Sequence, residues 1–437
     1  MPEVNFTGMN KKFQSLRGMN DIDPSGLSTW KFIESRIFEI FASYGYQEIR
    51  FPLIESTDLF KRSVGESTDI VEKEMYSFED RNGDSVSLRP EGTAGCVRAC
   101  IQNGLLHNQT QKLFYSGPMF RRERPQKGRQ RQFFQIGAEA FGFPGPDIDI
   151  EMLFMTSAIW SHLNLSEVLT LNINTIGSLD ERNKYIETFT DYIKRYESDL
   201  DDDSKKRLTR NPLRILDSKN VKVQEILTDA PILLDHLGET SRAEFNNICN
   251  LLKKRGIEFK INPRLVRGLD YYCKTVFEWT TTELGAQDAV CAGGRYDGLV
   301  EQLGGKPCAG IGFALGLERI VLLAEQKEVV PEKYTHNSDV FVVCEDNLWS
   351  QVIITLENVR AECSDIRITF NCGGGSLKSQ LKRADKSKSR VALIFGEREI
   401  SENTVSIKYL RENREQELID IKDLTQILGS IFNVGRV

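Results

Sequence analysis

Hydrophobic positions along the chain change period several times, and each change marks an element. Over residues 28–45, Trp30, Ile33, Ile37, Ile40, Phe41 and Tyr44 recur at helical spacing, with Ser28 or Thr29 placed to cap the start and Gly45 placed to stop it. Short alternating runs follow: QEIRFPLIE, MYSFED and SVSLRP, the last two joined across Asn82-Gly83, a pair that favours a hairpin turn. Helical spacing returns over Thr93–Leu106 and 150–163, followed by a strand in LTLNINTIG. Between 177 and 260 strand signals vanish and charged helical stretches dominate, which predicts a helical insertion. Strands resume at 261–283 and 308–315, then a helix carries Leu317, Ile320, Val321 and Ala324 on one side. The polar, proline-containing segment KEVVPEKYTHNS (327–338) reads as a linker. From 339 strands and helices alternate (SDVFVVC, 348–361, DIRITF, 376–386, RVALIFG, TVSIKYL, 422–433), the pattern of a small α/β domain with a mostly parallel sheet. The predicted fold class is therefore α+β. An antiparallel sheet with flanking helices is split between 1–176 and 261–326 by the insertion at 177–260, and the linker leads to an α/β domain at 339–437.

The stretch Leu113–Gly142 carries the densest chemistry. An apolar run ends at Arg121, and six basic residues follow within eleven (Arg121, Arg122, Arg124, Lys127, Arg129, Arg131) against one acid, Glu123. The next segment alternates. Phe133, Gln135, Gly137, Glu139 and Phe141 point to one face, and Phe134, Ile136, Ala138 and Ala140 point to the other, a core face. The first face thus presents an amide and a carboxylate on either side of a glycine, which leaves room for something to lie on the strand. A basic hairpin beside such a face suits a polyanion next to a small polar molecule; the alternative is an exposed hairpin with a solvated charge run.

Composition narrows the setting. At 437 residues the chain is too long for one ordinary core. Its 40% hydrophobic and 27% charged content fits a soluble globular protein, and the net charge of −6 means that any nucleic acid must be met by a local basic patch. No apolar run approaches the length of a membrane span, and the N-terminus MPEVNFTGMNKKF lacks the apolar core of a secretory signal. Nine cysteines form no CxxC pair, and the four histidines (His107, His162, His236, His336) form no metal-type pair, so no metal site is expected. Cys96 and Cys100 would share one helix face as buried small residues, and free thiols in this number suit a reducing cytoplasm. GIGFALG (310–316) is one residue longer than a dinucleotide fingerprint, and no P-loop occurs. Gly373-Gly374-Gly375 before SLKSQ reads as an αβ connection in preference to a phosphate site.

Taken together, several segments are far more specific than any one alone: RGMNDIDP (17–24), GESTDIVEKEMYSF (65–78), LRPEGTA (88–94), the Leu113–Gly142 stretch, LVRGLDYYCKTVFEW (265–279), AGGRYDGL (292–299), GIGFALGLERI (310–320) and GGGSLKSQLKRADKSKSRVALIFGE near the C-terminus. With these the chain resembles the histidyl-tRNA synthetases, class II aminoacyl-tRNA synthetases of bacterial type, over essentially its whole length. The resemblance implies a catalytic domain built on an antiparallel sheet, a helical insertion, a C-terminal α/β domain that binds the anticodon, and a cytoplasmic homodimer. It also implies a two-step reaction, in which L-histidine and ATP form histidyl-adenylate and pyrophosphate and histidine then passes to the 3′ end of tRNA(His).

The resemblance assigns roles residue by residue. Arg121 in FRRERP fits the motif 2 arginine at the α-phosphate, and Arg267 in RGLDYY is the second catalytic cation opposite it. Arg129 and Arg319 would hold the β- and γ-phosphates and Glu123 the adenine, with Mg²⁺ arriving on ATP and held mainly by its phosphates. Glu91, Thr93 and Gln135 match positions for the α-ammonium. Glu139 and Tyr272 match positions for the imidazole, with Tyr271 beside them. A strand count agrees with this division: Gln135 and Glu139 lie roughly 13 Å apart if extended, so they would hold opposite ends of one histidine. Lys378, Lys382, Arg383, Lys386, Lys388 and Arg390 against Asp385 offer a basic face for tRNA, or merely a solvated one. The rivals are the regulatory subunit of ATP phosphoribosyltransferase, other class II synthetases with the same type of anticodon domain, and an inactive RNA-binding scaffold. The intact set Arg121, Arg267 and Arg319 with a full C-terminal domain argues against the first and third. RGLDYY, Glu139 and the absence of a zinc-type ligand cluster argue against the second.

Overall fold

The structure, a computed structural model, describes residues 13–66, 68–285, 289–334 and 338–432. His336, part of the expected linker and most of the N-terminal stretch read for a targeting signal lie outside them. The chain forms two compact units, one with its main body at Trp30–Val329 and one comprising Pro24–Thr29 and the chain from Val330 onward.

In chain order the first unit holds strands β1 (Gln47–Glu48), β2 (Ile54–Ser56), β3 (Tyr76–Glu79), β4 (Ser85–Leu88), β5 (Gln111–Phe120), β6 (Gln132–Phe141), β7 (Thr170–Thr175), β8 (Phe259–Ile261), β9 (Cys273–Thr280), β10 (Ala289–Arg295) and β11 (Gly310–Gly316). Its helices are α1 (Pro24–Ser43), α2 (Thr57–Val64), α3 (Thr93–Gln102), α4 (Asp147–His162), α5 (Leu179–Lys194), α6 (Asp202–Arg210), α7 (Val221–Ile226), α8 (Glu239–Arg255), α9 (Leu299–Gln302) and α10 (Leu317–Gln326). Eight strands form the main sheet in the order β1-β5-β6-β11-β10-β9-β7-β8. The inner pairs are antiparallel, as expected, but β1–β5 and β7–β8 at the two edges are parallel, so the sheet is mixed. Strands β2, β4 and β3 make a separate small antiparallel sheet. Asn82 and Gly83 lie in the β3–β4 turn, where Gly83 takes φ +87° and the Asp80 side chain accepts from the backbone N–H groups of Asn82 and Asp84.

The alternation in β6 sets the layering. On the core face Ile136, Ala138 and Ala140 are buried, and the Trp30 ring of α1 meets Phe134 edge-on at 5.3 Å. Phe41 of the same helix packs against Phe114 at 5.0 Å. Each large apolar side chain buried there contributes roughly 1.5–3 kcal/mol. The opposite face is left for polar groups. Helix α1 starts at Pro24, earlier than the caps expected at Ser28 or Thr29, because proline suits a first helical turn whose N–H groups have no partner in any case. Helix α3 ends at Gln102, short of Leu106, and buries both Cys96 and Cys100. Helices α5 to α8 connect β7 to β8, and Tyr185, Phe189 and Ile193 of α5 with Ile215 between α6 and α7 belong to the same buried cluster as Tyr115, Tyr271 and Tyr272 of the sheet.

The second unit contains β12 (Val340–Cys344), α11 (Trp349–Glu362), β13 (Ile368–Phe370), α12 (Leu377–Lys386), β14 (Val391–Phe395), α13 (Glu397–Ser401), β15 (Thr404–Tyr409), β16 (Glu417–Asp420) and α14 (Leu424–Phe432). The strand order is β13-β12-β14-β15-β16. The β12–β13 and β12–β14 pairs are parallel, but β14–β15 and β15–β16 are antiparallel, so this sheet is less parallel than the alternation predicted, and β16 is an additional strand. Gly373, Gly374 and Gly375 all have left-handed φ and lead into the Ser376 cap of α12. Lys378, Lys382 and Lys386 are exposed on α12, whereas Arg390 pairs with Glu412 and Asp385 with Arg411. Among the described residues no helix is long and apolar enough to cross a membrane.

Candidate active site

The polar face of the main sheet opens into a cleft of about 210 Å³. The expected site residues come to it from four parts of the chain: the β4–α3 turn with Glu91 and Thr93, the β5–β6 hairpin with Arg121, Glu123, Arg129 and Gln135, the loop before β9 with Arg267, Tyr271 and Tyr272, and the first turn of α10 with Arg319; β9, β10 and β11 complete the wall. Every site residue expected from the sequence lines this cleft except Glu139, which lies one layer behind it.

The hairpin divides its basic residues. Arg122, Arg124 and Lys127 are exposed, and Arg121 and Arg129 line the cleft. The turn is held from both sides, since Arg131 and Gln132 donate their N–H groups to the Gly18 carbonyl at 2.7 and 3.1 Å and Arg122 donates to Glu74 at 2.6 Å. This docks the RGMND segment against the hairpin. Arg121 spends its Nε on the Pro90 carbonyl (2.8 Å) and stacks 5.3 Å from the Phe133 ring, which fixes the guanidinium plane. Burial lowers its pKa, countered by Glu74 and Glu91. Arg129 forms an ion pair with Glu123, whose carboxylate is buried. Arg319 donates its Nε to the Gly128 carbonyl at 3.1 Å, tying α10 to the hairpin tip. Arg267 stands 3.2 Å from the Glu278 carboxylate on β9, and its buried Nε has no hydrogen-bond partner. The cleft brings four guanidinium groups (Arg121, Arg129, Arg267, Arg319) together with four carboxylates (Glu91, Glu123, Glu278, Glu318), and the planar donor fork of each guanidinium suits anionic oxygen.

The other end is built around two carboxylates and a set of hydroxyls. Glu91 accepts from the N–H groups of Thr93 (2.7 Å) and Ala94 (2.9 Å), so it caps α3 while lining the cleft. Glu139, fully buried, accepts from Thr93 Oγ1 (2.7 Å), Tyr115 Oη (3.0 Å) and Tyr296 Oη. Gln135 Oε1 is buried without a partner and belongs to the cleft wall. The space over Gly137 is occupied from within the protein: Tyr115 faces Gly137 across the β5–β6 ladder, and a Cβ at Gly137 would lie 2.3 Å from its hydroxyl. Tyr115 is thus what lies on the strand, and it covers Glu139. On the other side Gly312 pairs with Glu139, and a Cβ there would sit 1.6 Å from Oε2. Only a glycine opposite this carboxylate leaves it room.

Four functional side chains escaped sequence reasoning. Tyr115 and Tyr296 hold Glu139, Glu278 pairs with Arg267, and Glu318 receives the Phe134 N–H on both oxygens at 2.9 and 3.1 Å. Tyr296 stands inside the quoted AGGRYDGL, and Glu278 inside LVRGLDYYCKTVFEW. Arg295 of AGGRYDGL, by contrast, is structural: it is buried and its donors are met by Asp149, Asp297, Phe143 and Gly145.

Burial pushes Glu139 up to about 8 and Glu318 up to about 7, against an ordinary value of 4.5. Each folded-state pKa is raised, so the fold binds these protons more tightly than the unfolded chain does. The stability they contribute is complete below 4.5 and is lost as pH rises through 7 to 8. Each group can add up to about 1.4 kcal/mol per pH unit to that fall. Glu139→Gln carries no titrating proton, and urea melts between pH 5.5 and 7.5 are expected to show a shallower decline for it than for the wild type. Equal slopes would contradict the buried, protonated state of Glu139.

A sheet with an antiparallel centre whose polar face gathers arginines from a strand hairpin and from a strand–helix junction defines the catalytic unit of a class II aminoacyl-tRNA synthetase. The comparisons with known proteins make it more specific. The family model of histidyl-tRNA synthetase matches residues 18–320, and that of an anticodon binding domain matches 356–431. The structure is similar to that of apo histidyl-tRNA synthetase from S. aureus, with 34% identity, a TM-score of 0.79, and coverage of 95% of this chain and 99% of that one. Histidyl-tRNA synthetase from Nostoc sp. PCC 7120 shares the fold at 18% identity and TM-score 0.71, covering 96% of this chain and 100% of that one. A protein from Bacillus halodurans C described as an ATP phosphoribosyltransferase regulatory subunit/histidyl-tRNA synthetase shares it at 20% identity and TM-score 0.61, covering 88% of this chain and 98% of that one. The chain belongs to the histidyl-tRNA synthetase family, and its activity is that of an aminoacyl-tRNA ligase.

Proposed function

We propose that this cleft activates L-histidine with ATP and that the chain then transfers histidine to the 3′ end of tRNA(His). The observation that carries the reading is one cleft lined by four arginines and by Glu91, Thr93, Tyr271 and Tyr272, with the buried, partnerless amide oxygen of Gln135 on its wall. That oxygen and the lone pairs of Thr93 Oγ1, whose proton is already given to Glu139, suit an α-ammonium group. Glu91 adds negative charge beside them. Glu139 with the hydroxyls of Tyr115 and Tyr296 forms the floor beneath the imidazole, joined to the α-ammonium end by its bond from Thr93, with Tyr272 at its side and Tyr271 packed against Tyr272 at 4.6 Å between ring centres.

In the first step a carboxylate oxygen of histidine bonds to the α-phosphorus and the bond to the pyrophosphate oxygen breaks. Two anions must approach, so fixed cations at the phosphoryl oxygens lower the barrier. Arg121 and Arg267 take that role at the α-phosphate, Arg129 and Arg319 at the β- and γ-phosphates, and Glu123 at the adenine. Mg²⁺, when bound with ATP, neutralises charge on the triphosphate. The carboxylates on the cleft wall are already engaged, Glu278 by Arg267, Glu318 by the Phe134 N–H, Glu91 by α3 and Glu123 by Arg129, which fits a metal held mainly by phosphate. In the second step the terminal ribose hydroxyl of tRNA attacks the acyl carbon and AMP leaves.

The domain reading follows: catalytic core at 1–176 and 261–326, insertion at 177–260, linker at 327–338 and anticodon-binding domain at 339–437, in a cytoplasmic homodimer. The exposed lysines of α12 support tRNA contact in the last of these. Charging assays with a tRNA(His) transcript and labelled histidine test the transfer. Acid-stable label on the tRNA is expected, and adenylate formation without charging would restrict the activity to the first step.

A further inference from the structure

The loop from Arg267 to Tyr272 has two sides. One lines the cleft with Arg267, Leu269, Tyr271 and Tyr272. Behind it, Arg182 of α5 and Asn211 and Arg214 beyond α6 enclose a second, small cavity, so the loop is a partition between the cleft and the helical insertion. Arg182 Nη1 donates to the Tyr272 carbonyl at 2.9 Å and reaches that of Asp270 at 3.5 Å. Asn211 Nδ2 donates to Asp270 Oδ1 at 2.5 Å. Asp270 is also wedged against the turn after α2: its backbone N–H donates to the Val64 carbonyl at 3.3 Å, and a Cβ on Gly65, where φ is +99°, would meet Asp270 Oδ2 at 2.4 Å. The segment following that turn is tied to the same helices, through Glu72 to Arg210 and through Asp69 to Arg214 at 3.4 Å. Just past the loop, Lys274 adopts φ +47°, costly for a residue with a side chain, and its N–H is held by the Gly177 carbonyl at the entry to the insertion.

We propose that Arg182 is a positioning residue for the activation reaction: from the helical insertion it fixes the Tyr272 carbonyl and the Asp270 turn, and thereby sets where Tyr272 and Arg267 stand in the cleft. The inference rests on the proposed activity. The loop it holds carries Tyr272, through which the effect falls on histidine binding, and Arg267, through which it falls on the rate of activation rather than on ATP binding. The ATP-facing residues Arg121, Arg129 and Arg319 sit on the β5–β6 hairpin and α10, and their hydrogen bonds go to other partners. A displacement of about 1 Å at a reacting group can cost on the order of 10²-fold.

The test is ATP–pyrophosphate exchange with the full chain, with KM for histidine and for ATP measured separately in the wild type, Arg182→Ala, Arg182→Lys and Asn211→Ala. Arg182→Ala is expected to raise the histidine KM about tenfold or more and to leave the ATP KM within about twofold. Arg182→Lys, which keeps one charged donor for the Tyr272 carbonyl, is expected to recover most of the loss. Equal rises in both constants, a lysine variant as impaired as the alanine one, or an unchanged Arg182→Ala would each overturn the proposal. If Arg182→Ala is unfolded at the assay temperature, Asn211→Ala decides: a smaller rise confined to histidine supports the clamp, and unchanged constants contradict it. A wild-type chain without histidine-dependent exchange would contradict the activity itself, whereas an active wild type with an indifferent Arg182→Ala would contradict only the positioning.

Discussion

Arg267→Ala is expected to lower histidine-dependent ATP–pyrophosphate exchange by about 10²–10³-fold, the usual cost of removing one preorganised group that stabilises transition-state charge. The argument rests on where this guanidinium sits. It stands 3.2 Å from Glu278, and its buried Nε has no partner, so a donor is held in a low-dielectric wall with nothing yet to receive it. Arg121 and Arg267 line the same cleft, and burial, with a smaller like-charge contribution from Arg267, lowers the Arg121 pKa. Loss of Arg267 also strands Glu278, so a thermal melt should accompany the kinetics. Glu278→Gln supplies the control: it breaks the ion pair, keeps the arginine, and should lose far less rate. Near wild-type exchange from folded Arg267→Ala would remove this residue from the mechanism.

Glu139→Gln is expected to raise the histidine KM by roughly 10–100-fold and to change the ATP KM little, by the logic of unpaired polar groups in a substrate pocket. The carboxylate accepts from three hydroxyls, those of Thr93, Tyr115 and Tyr296. An amide offers one oxygen and a fixed NH₂; it matches the protonated carboxyl but cannot reach the ionised state in which all three hydroxyls donate, and two of the three line or cover the cleft floor. The arginine end shares none of these partners. A larger loss of ATP affinity than of histidine affinity would place the amino-acid pocket elsewhere.

How much of this was legible in the sequence depended on whether the cause was local. The period of two in β6 separated Gln135 and Glu139 from the apolar positions that pack on α1, and the structure keeps that division. The arginines were legible only as a joint pattern, since in isolation each resembles a surface charge and even Arg295 of AGGRYDGL turns out to be structural. What stayed hidden was set by register between strands. Tyr115 meets Glu139 because it faces Gly137 across one ladder, and Glu139 has room because Gly312 faces it across another. Nothing in the sequence near Gly137 shows that the space above it is already filled. The parallel edges of the main sheet were likewise invisible, because β7 and β8 pair across the whole helical insertion. Glu278 and Glu318 occupy positions where a charged residue near a strand or helix end reads as solvated, and only the fold turns them inward.

The central claim is that this cleft activates histidine, and ATP–pyrophosphate exchange on the purified chain with each of the twenty amino acids in turn tests it most directly. Exchange with histidine alone is the predicted result. No exchange with any amino acid, from folded protein that still binds histidine, would contradict it and indicate a binding module on a synthetase fold.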